Sequence, residues 1–83
     1  MKAKNLQVHS AARYTIRVQG VLDAAWSDRL GGLEITCEGD SDDEGHVTTL
    51  RGQLMDQAAL FGILNTLYGL RLPLLSVEYM AFA

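Results

Sequence analysis

The sequence predicts an α+β domain in which one helix covers a four-stranded, mainly antiparallel sheet. The predicted element order is β-β-β-α-β, with a short helical turn after the first strand. Two observations lead to this class: four stretches alternate between apolar and polar residues, and a capped apolar stripe at helical spacing runs into the last of them. Since an amphipathic helix must bury its stripe against another layer, we expect it to lie on one face of the sheet. We expect the strand order 4-1-2-3, which places the first two strands side by side.

The four strands are predicted from alternation, which is the pattern of a half-buried strand. They lie at residues 14–19, 33–38, 46–51 and 75–79, and the third is the least regular. Pro73 precedes the last strand, where its missing amide costs least. An acidic segment bracketed by glycines, residues 39–45, is expected to form the loop of a hairpin between the second and third strands.

Two helical segments are predicted from their capping residues. Asp56 is a typical N-cap for a helix over residues 57–68, and Gly69 is a typical stop. Apolar residues recur along this helix at a spacing that predicts one buried face. These residues are Leu60, Ile63, Leu64 and Leu67. Asp23 likewise predicts a shorter helical turn over residues 24–30.

Length, charge and cysteine content limit the class of protein. Eighty-three residues make one domain, expected over residues 14–83 after a flexible N-terminal segment of residues 1–13. The net charge of -3 lacks the basic footprint of a nucleic-acid binder, so no nucleic-acid partner is expected. The single Cys37 excludes an internal disulfide and is typical of a reducing compartment. No apolar run approaches the roughly 20 residues of a membrane span, and no signal peptide is recognisable. We therefore expect a cytoplasmic protein without a membrane partner.

No metal, cofactor or catalytic set is predicted. The acidic residues 40–44 resemble the first half of a calcium loop, but the twelfth position holds Arg51 where a bidentate glutamate is required. His9, Cys37 and His46 lack the spacing of zinc ligands. No nucleophile with a neighbouring base can be assembled from these residues either. The sequence favours a non-enzymatic role and leaves the enzymatic one open.

Two groups of residues are candidates for binding. Arg17 and Gln19 of the first strand, with Glu34 and Thr36 of the second, are expected on the outward face of the sheet. This face is either solvated or a surface that recognises a polar partner.

The second group lies on the flank of the helix. Phe61 and Tyr68 stand seven residues apart there, and with Met80 and Phe82 they are candidates for exposed apolar surface. The alternative is that Phe61 and Tyr68 widen the buried stripe. The two readings predict an interface and a larger core, respectively.

Several strings resemble a group of short bacterial proteins of unassigned function. They are Tyr14-Thr15-Ile16-Arg17-Val18-Gln19-Gly20, Trp26-Ser27-Asp28-Arg29-Leu30-Gly31-Gly32-Leu33, Asp56-Gln57-Ala58-Ala59-Leu60 and Leu72-Pro73-Leu74-Leu75-Ser76-Val77. The resemblance covers residues 14–79 and implies a bacterial source and a single domain. It implies no activity.

The function predicted from these features is a small protein–protein interaction or regulatory module. We expect a homodimer that uses the C-terminal strand or the helix flank, because one helix covers only one face of a four-stranded sheet and the sheet keeps two edges. A protein partner other than a second copy is left open. The alternative is a small ligand-binding domain or enzyme with its site at a homodimer interface.

Overall fold

The structure is a computed structural model, and it describes residues 11–39 and 45–81. Four strands, one 3₁₀ helix and one α-helix are formed. They are β1 (Ala12–Gln19), the 3₁₀ helix (Ala24–Leu30), β2 (Glu34–Glu38), β3 (Val47–Leu54), α1 (Gln57–Gly69) and β4 (Leu74–Ala81). The predicted α+β class is confirmed, including the helical turn after the first strand. The chain enters β1 at Ala12, two residues before the predicted start.

The four strands form one sheet in the order β2-β3-β1-β4, and every neighbouring pair is antiparallel. The predicted order 4-1-2-3 is wrong, because β3 rather than β2 lies beside β1. The cause is burial. Thr48, Thr49 and Leu50 are consecutive and all buried, whereas β2 has no buried residue, so β3 suits a central position better than β2 does. Charged Glu34 and Glu38 are exposed, which suits β2 to the sheet edge.

The core lies between the sheet and one face of α1. Its central row comes from β1, whose alternate residues are almost completely buried. The buried residues of β1 are Ala12, Tyr14, Ile16 and Val18, and those of α1 are Leu60, Ile63 and Leu67. The predicted stripe is therefore the buried one, with Leu64 at its margin. Each fully buried side chain of this size contributes about 1.5–3 kcal/mol.

The two predicted N-caps are formed. The Asp56 carboxylate accepts a hydrogen bond from the backbone N–H of Ala59 at 2.9 Å, and the Asp23 carboxylate accepts one from Ala25 at 2.9 Å. Each satisfies an amide that has no partner within its helix. Helix α1 ends at Gly69, the predicted stop. The left-handed residue after the helix is Arg71, with φ 64°, and not Gly69.

A buried threonine joins the end of β1 to β3. The Thr48 hydroxyl donates to the carbonyl of Gly20 at 2.6 Å and accepts from the N–H of Leu22 at 3.2 Å. Gly20 has φ 113°, a conformation that side chains disfavour, and the chain turns there toward the 3₁₀ helix. The two bonds satisfy backbone groups that leave the sheet at this turn.

Candidate interaction surface

Large apolar side chains on the surface of the described residues are concentrated on β4 and the adjacent flank of α1. We call this group the β4 surface. Its members are Phe61, Tyr68, Leu74, Leu75, Val77, Tyr79 and Met80. Tyr68 is 79% exposed, Phe61 59% and Tyr79 55%. Leu74, Val77 and Tyr79 lie on the helix side of β4, and Met80 lies on the other side. Clustered exposed apolar residues mark an interaction site more often than scattered single residues do.

The strand order explains why β4 is uncovered. An α-helix is about 10 Å wide and strands are about 4.8 Å apart, so one helix covers about two strands. The buried residues beneath α1 lie on β1 and β3, which are the two central strands. Val77 and Tyr79 of β4 point to the same side of the sheet as their β1 partners Ile16 and Tyr14. They lie beyond the reach of the helix and stay exposed.

A β-bulge interrupts the pairing near the start of β4. Ile16 pairs with Val77, but Val18 pairs with Leu74, so the register shifts between Arg17 and Val18. One residue of β4 is therefore extra. The shift brings Leu74 to the helix side of the sheet, opposite the buried Val18, although the undisturbed alternation from Val77 would place it on the other side.

A recess of about 250 Å³ opens between the C-terminal half of α1 and the start of β4. Its lining carries no charged side chain and consists of Leu64, Leu67, Tyr68, Leu72, Pro73 and Leu74. Small-molecule sites commonly occupy about 300–1,000 Å³. The recess is below that range and suits a single large side chain.

Two other hollows include charged side chains in their linings. One of about 550 Å³ follows β4 and includes Arg13 and Glu78. The other, of about 280 Å³, lies beside the 3₁₀ helix at Asp23 and Trp26. There the Arg29 guanidinium lies 5.3 Å from the ring centre of Trp26, which is a cation–π contact within the chain. That ring face already has a partner.

The four polar candidate residues lie on the sheet face opposite α1, but β3 separates the two pairs. Arg17 is opposite Thr49, and Thr49 is opposite Thr36. The expectation that the first two strands pair directly is therefore wrong, because β3 takes the place beside β1. Gln19 lies at the end of β1, opposite Val47.

The charges of this outer face are paired with other residues than expected. Glu34 is opposite Arg51 of β3. Arg17 forms an ion pair with Glu78 of β4 at 3.6 Å, and both side chains are substantially exposed. Exposed pairs of this kind contribute about 0–1 kcal/mol. Arg17 and Arg51 therefore each have an acid nearby, as is usual on a solvated sheet surface.

The structure brings Tyr68 of the helix flank together with Leu74 of β4 at the recess. The sequence pattern groups Phe61 and Tyr68 with Met80 but does not include Leu74, Val77 or Tyr79. Alternation indicates which side of the sheet a side chain faces, but not whether anything covers it. The available signal was the high apolar content of residues 72–80, which Ser76 and Glu78 interrupt. Phe82, the other apolar candidate, lies outside the described residues.

The thiol and metal candidates are dispersed. Cys37 is exposed on the edge strand β2, although alternation placed it on the inward face. The helix does not reach β2, which is why an inward-facing residue there stays accessible. Among residues 11–39 and 45–81, no group of three or more His, Cys, Asp or Glu side chains is placed to hold a metal ion. His9 and the acidic residues 40–44 lie outside this part of the chain. Within it, no helix is long and apolar enough to cross a membrane.

Comparison with known proteins gives one family. The sequence matches a family described as a domain of unknown function, DUF8691, over residues 13–78. No curated protein and no solved structure matches the chain. The expected resemblance to short proteins of unassigned function is confirmed by this match.

Proposed function

The chain belongs to the DUF8691 family of domains of unknown function, and we propose that it is a small protein-interaction module that works as a homodimer through the β4 surface. The observation that carries the proposal is the exposed apolar character of an edge strand. Among the residues that the structure describes, β4 has β1 on one side and no strand on the other. Five of its residues are large, apolar and exposed. These five are Leu74, Leu75, Val77, Tyr79 and Met80.

The outer backbone edge of β4 is the first feature that supports a dimer. A free strand edge presents unpaired N–H and C=O groups, and these pair readily with another strand. Natural edge strands are usually protected by charges, by prolines within the strand or by short length. β2 follows that rule, with Glu34 and Glu38 exposed. β4 runs from Leu74 to Ala81 with a single charge, Glu78.

The exposed area of the β4 surface is the second feature that supports a dimer. If a fully exposed side chain of this size offers about 150–200 Å², the β4 surface exposes on the order of 600–800 Å². A standard interface buries about 800 Å² on each partner. The surface is therefore large enough to form most of one side of a stable contact. A twofold dimer buries the same patch on both copies and is the commonest assembly.

The size of the recess favours a protein side chain over a small ligand as its occupant. At about 250 Å³ it is smaller than sites for metabolites, and its walls lack the convergent polar groups that orient such ligands. A protein side chain needs neither the volume nor those groups.

We infer a bacterial cytoplasmic setting for the dimer. The support is the resemblance of the sequence strings to bacterial proteins and the exposed free thiol of Cys37. Accessible thiols persist in reducing compartments. Labelling of Cys37 by a membrane-permeant reagent in intact cells, without labelling by an impermeant one, would support this setting.

Light scattering at tens of micromolar tests the dimer. We expect a mass of twice 9.1 kDa for the native chain. Tyr68→Glu should return the mass to that of the monomer, because it places a charge in the apolar contact at a position that is 79% exposed and makes little contact with the core. Thr36→Glu on β2 is the matched control, since it adds the same charge at the opposite edge and should leave the dimer intact. A native mass near 9.1 kDa would refute the proposal.

A further inference from the structure

We propose that the two copies pair through β4 in antiparallel register with Val77 on the twofold axis, and that Tyr79 of each copy packs into the recess of the other. This inference rests on the proposed homodimer and adds its geometry. It follows from the charge of Glu78, the extent of overlap along β4 and the position of the recess.

Symmetry leaves few registers. In an antiparallel pair, directly opposite residues point to the same side of the sheet. A twofold axis therefore passes through one residue of β4, which then faces itself. An axis at Glu78 would place two carboxylates directly opposite each other, a destabilising arrangement. Val77 and Tyr79, the residues on either side, lie on the helix side of the sheet where the recess opens, and we compare these two centres.

Position along β4 favours Val77 over Tyr79. With Val77 on the axis, residues 76–78 pair regularly with their equivalents, and Tyr79 reaches the partner's bulge at Leu74 and Leu75. With Tyr79 on the axis, residues 77–81 of β4 overlap, and Leu74 and Leu75 stay uncovered. Because the Val77 register also covers Leu74 and Leu75, it buries more apolar side chain.

Charge favours the same register. With Val77 on the axis, Glu78 faces the partner's Ser76. Ser76 is opposite Arg17 in the β1–β4 register. The Glu78 carboxylate would therefore lie in the same cross-strand row as the partner's Arg17 guanidinium. The Ser76 hydroxyl is buried without a hydrogen-bond partner in the described structure, and a facing carboxylate would give it an acceptor. The contact forms twice by symmetry.

The recess supplies a place for Tyr79. In this register Tyr79 faces the partner's Leu75, which is next to the partner's Leu74 in the recess wall. The ring of Tyr79 lies on the helix side of the sheet, with its centre 6.3 Å from that of the buried Tyr14. It is 55% exposed, so it has surface left to bury. A recess of about 250 Å³ lined by aliphatic side chains suits one aromatic ring.

Cysteine cross-linking tests the register. In a Cys37→Ser background, we expect Val77→Cys to form a disulfide-linked dimer on mild oxidation, because facing residues in an antiparallel pair have Cα atoms about 4.5–5.5 Å apart. Tyr79→Cys should cross-link at least about tenfold more slowly, since its Cα atoms would be roughly 13 Å apart at about 3.4 Å per residue. Faster linkage through Tyr79→Cys or Glu78→Cys would overturn the register.

The same samples separate the two proposals. If the Cys37→Ser parent is a monomer by light scattering, the proposed homodimer fails and the register fails with it. If the parent is a dimer but cross-links elsewhere, only the register fails. Cys37 is exposed, so its replacement by serine is not expected to disturb the core.

Sedimentation equilibrium tests the seating of Tyr79. Tyr79→Ala should weaken the dimer at least about tenfold, as expected for an aromatic anchor in a pocket. Leu74→Ala should weaken it too, and the double variant should lose less than the two single effects combined, because the side chains would contact each other across the interface. Met55→Ala, at an exposed apolar residue outside the β4 surface, is the control. Additive losses, or a Tyr79→Ala dimer as tight as the control, would overturn the seating.

Discussion

Single residues fix the ends of the elements through hydrogen bonds to the backbone. Asp56 and Asp23 satisfy open amides at the starts of the two helices, and Thr48 satisfies two backbone groups at the end of β1. Each side chain is worth more than an ordinary surface contact, because removing it leaves a backbone group without a partner. Substitutions of Asp56 and Thr48 measure the contribution of these hydrogen bonds, and a third substitution measures the cost of the left-handed backbone at Arg71.

Asp56→Ala should reduce the free energy of unfolding by about 0.5–2 kcal/mol, since the N–H of Ala59 loses its acceptor. Asp56→Asn keeps a side-chain oxygen and should lose much less. The measurement is the midpoint of urea denaturation. An unchanged midpoint for the alanine variant would show that the cap contributes nothing.

Thr48→Val should reduce the free energy of unfolding by about 1–3 kcal/mol. The shape of the side chain is kept, but the carbonyl of Gly20 and the N–H of Leu22 lose their partner at a buried site. Thr36→Val, at an exposed position of β2, is the control and should stay within about 0.5 kcal/mol of the native chain. Equal midpoints for the two variants would contradict this role of the hydroxyl.

Arg71→Gly should increase the free energy of unfolding by about 0.5–1 kcal/mol. Arg71 has φ 64°, and this conformation costs a residue with a side chain about 1–2 kcal/mol. Glycine removes that cost, but part of the gain is lost because glycine has more conformational entropy in the unfolded chain. Arg71→Ala keeps the Cβ atom and should give no gain. Thermal denaturation distinguishes the two. Stabilisation by alanine would mean that the arginine side chain, and not its backbone, is unfavourable.

At the scale of the elements, the two edges of the sheet differ in character. β2 is short and has exposed acids, whereas β4 is longer and mainly apolar. β1 is paired on both sides and supplies the buried central row. Amide exchange should therefore be slowest in β1. The two edge strands should respond differently to protein concentration.

Hydrogen exchange of β4 should slow by at least about tenfold between low micromolar and high micromolar protein, because pairing with a second copy protects its outer amides. Exchange of β2 amides should not change, since that edge stays free. In Tyr68→Glu, the concentration dependence of β4 should disappear. Protection of β2 instead of β4 would move the interface to the opposite edge.

At the scale of the whole molecule, one helix is too narrow for four strands. The core lies between α1, the 3₁₀-helix residue Leu30 and the two central strands, and most of the exposed large apolar side chains belong to β4 and α1. The outer face of the sheet, in contrast, has Arg17, Arg51, Glu34 and Glu78 close together. A dimer formed through the β4 surface and one formed through the outer face should therefore differ in how their affinity depends on salt.

Dimer affinity should change less than about threefold between 0.05 and 0.5 M NaCl if the β4 surface forms the contact, because burial of apolar area is not screened by ions. An interface on the outer face would weaken clearly with salt, since it would depend on exposed charges. Sedimentation equilibrium across the salt series measures this. A steep loss of affinity would favour the outer face and count against β4.

Local chemistry in the sequence determined the element types and most of their ends. Alternation identified the strands, and the spacing of Leu60, Ile63 and Leu67 identified the buried side of α1. The caps Asp23 and Asp56 were identifiable because a capping bond spans two or three residues and needs no information from elsewhere in the chain. Phe61 and Tyr68 could also be named as candidates for exposed apolar surface.

The tertiary structure alone decided the strand order, and with it the β4 surface. Hydrophobic pattern shows which face of a strand is buried, but β2 and β3 have compatible patterns and either can pair with β1. β3 takes the central place, and the burial of Thr48, Thr49 and Leu50 is seen only once β1 and β2 lie on either side of it. The same placement carries β4 beyond the reach of α1. Non-local packing therefore converts an ordinary apolar strand into an exposed surface.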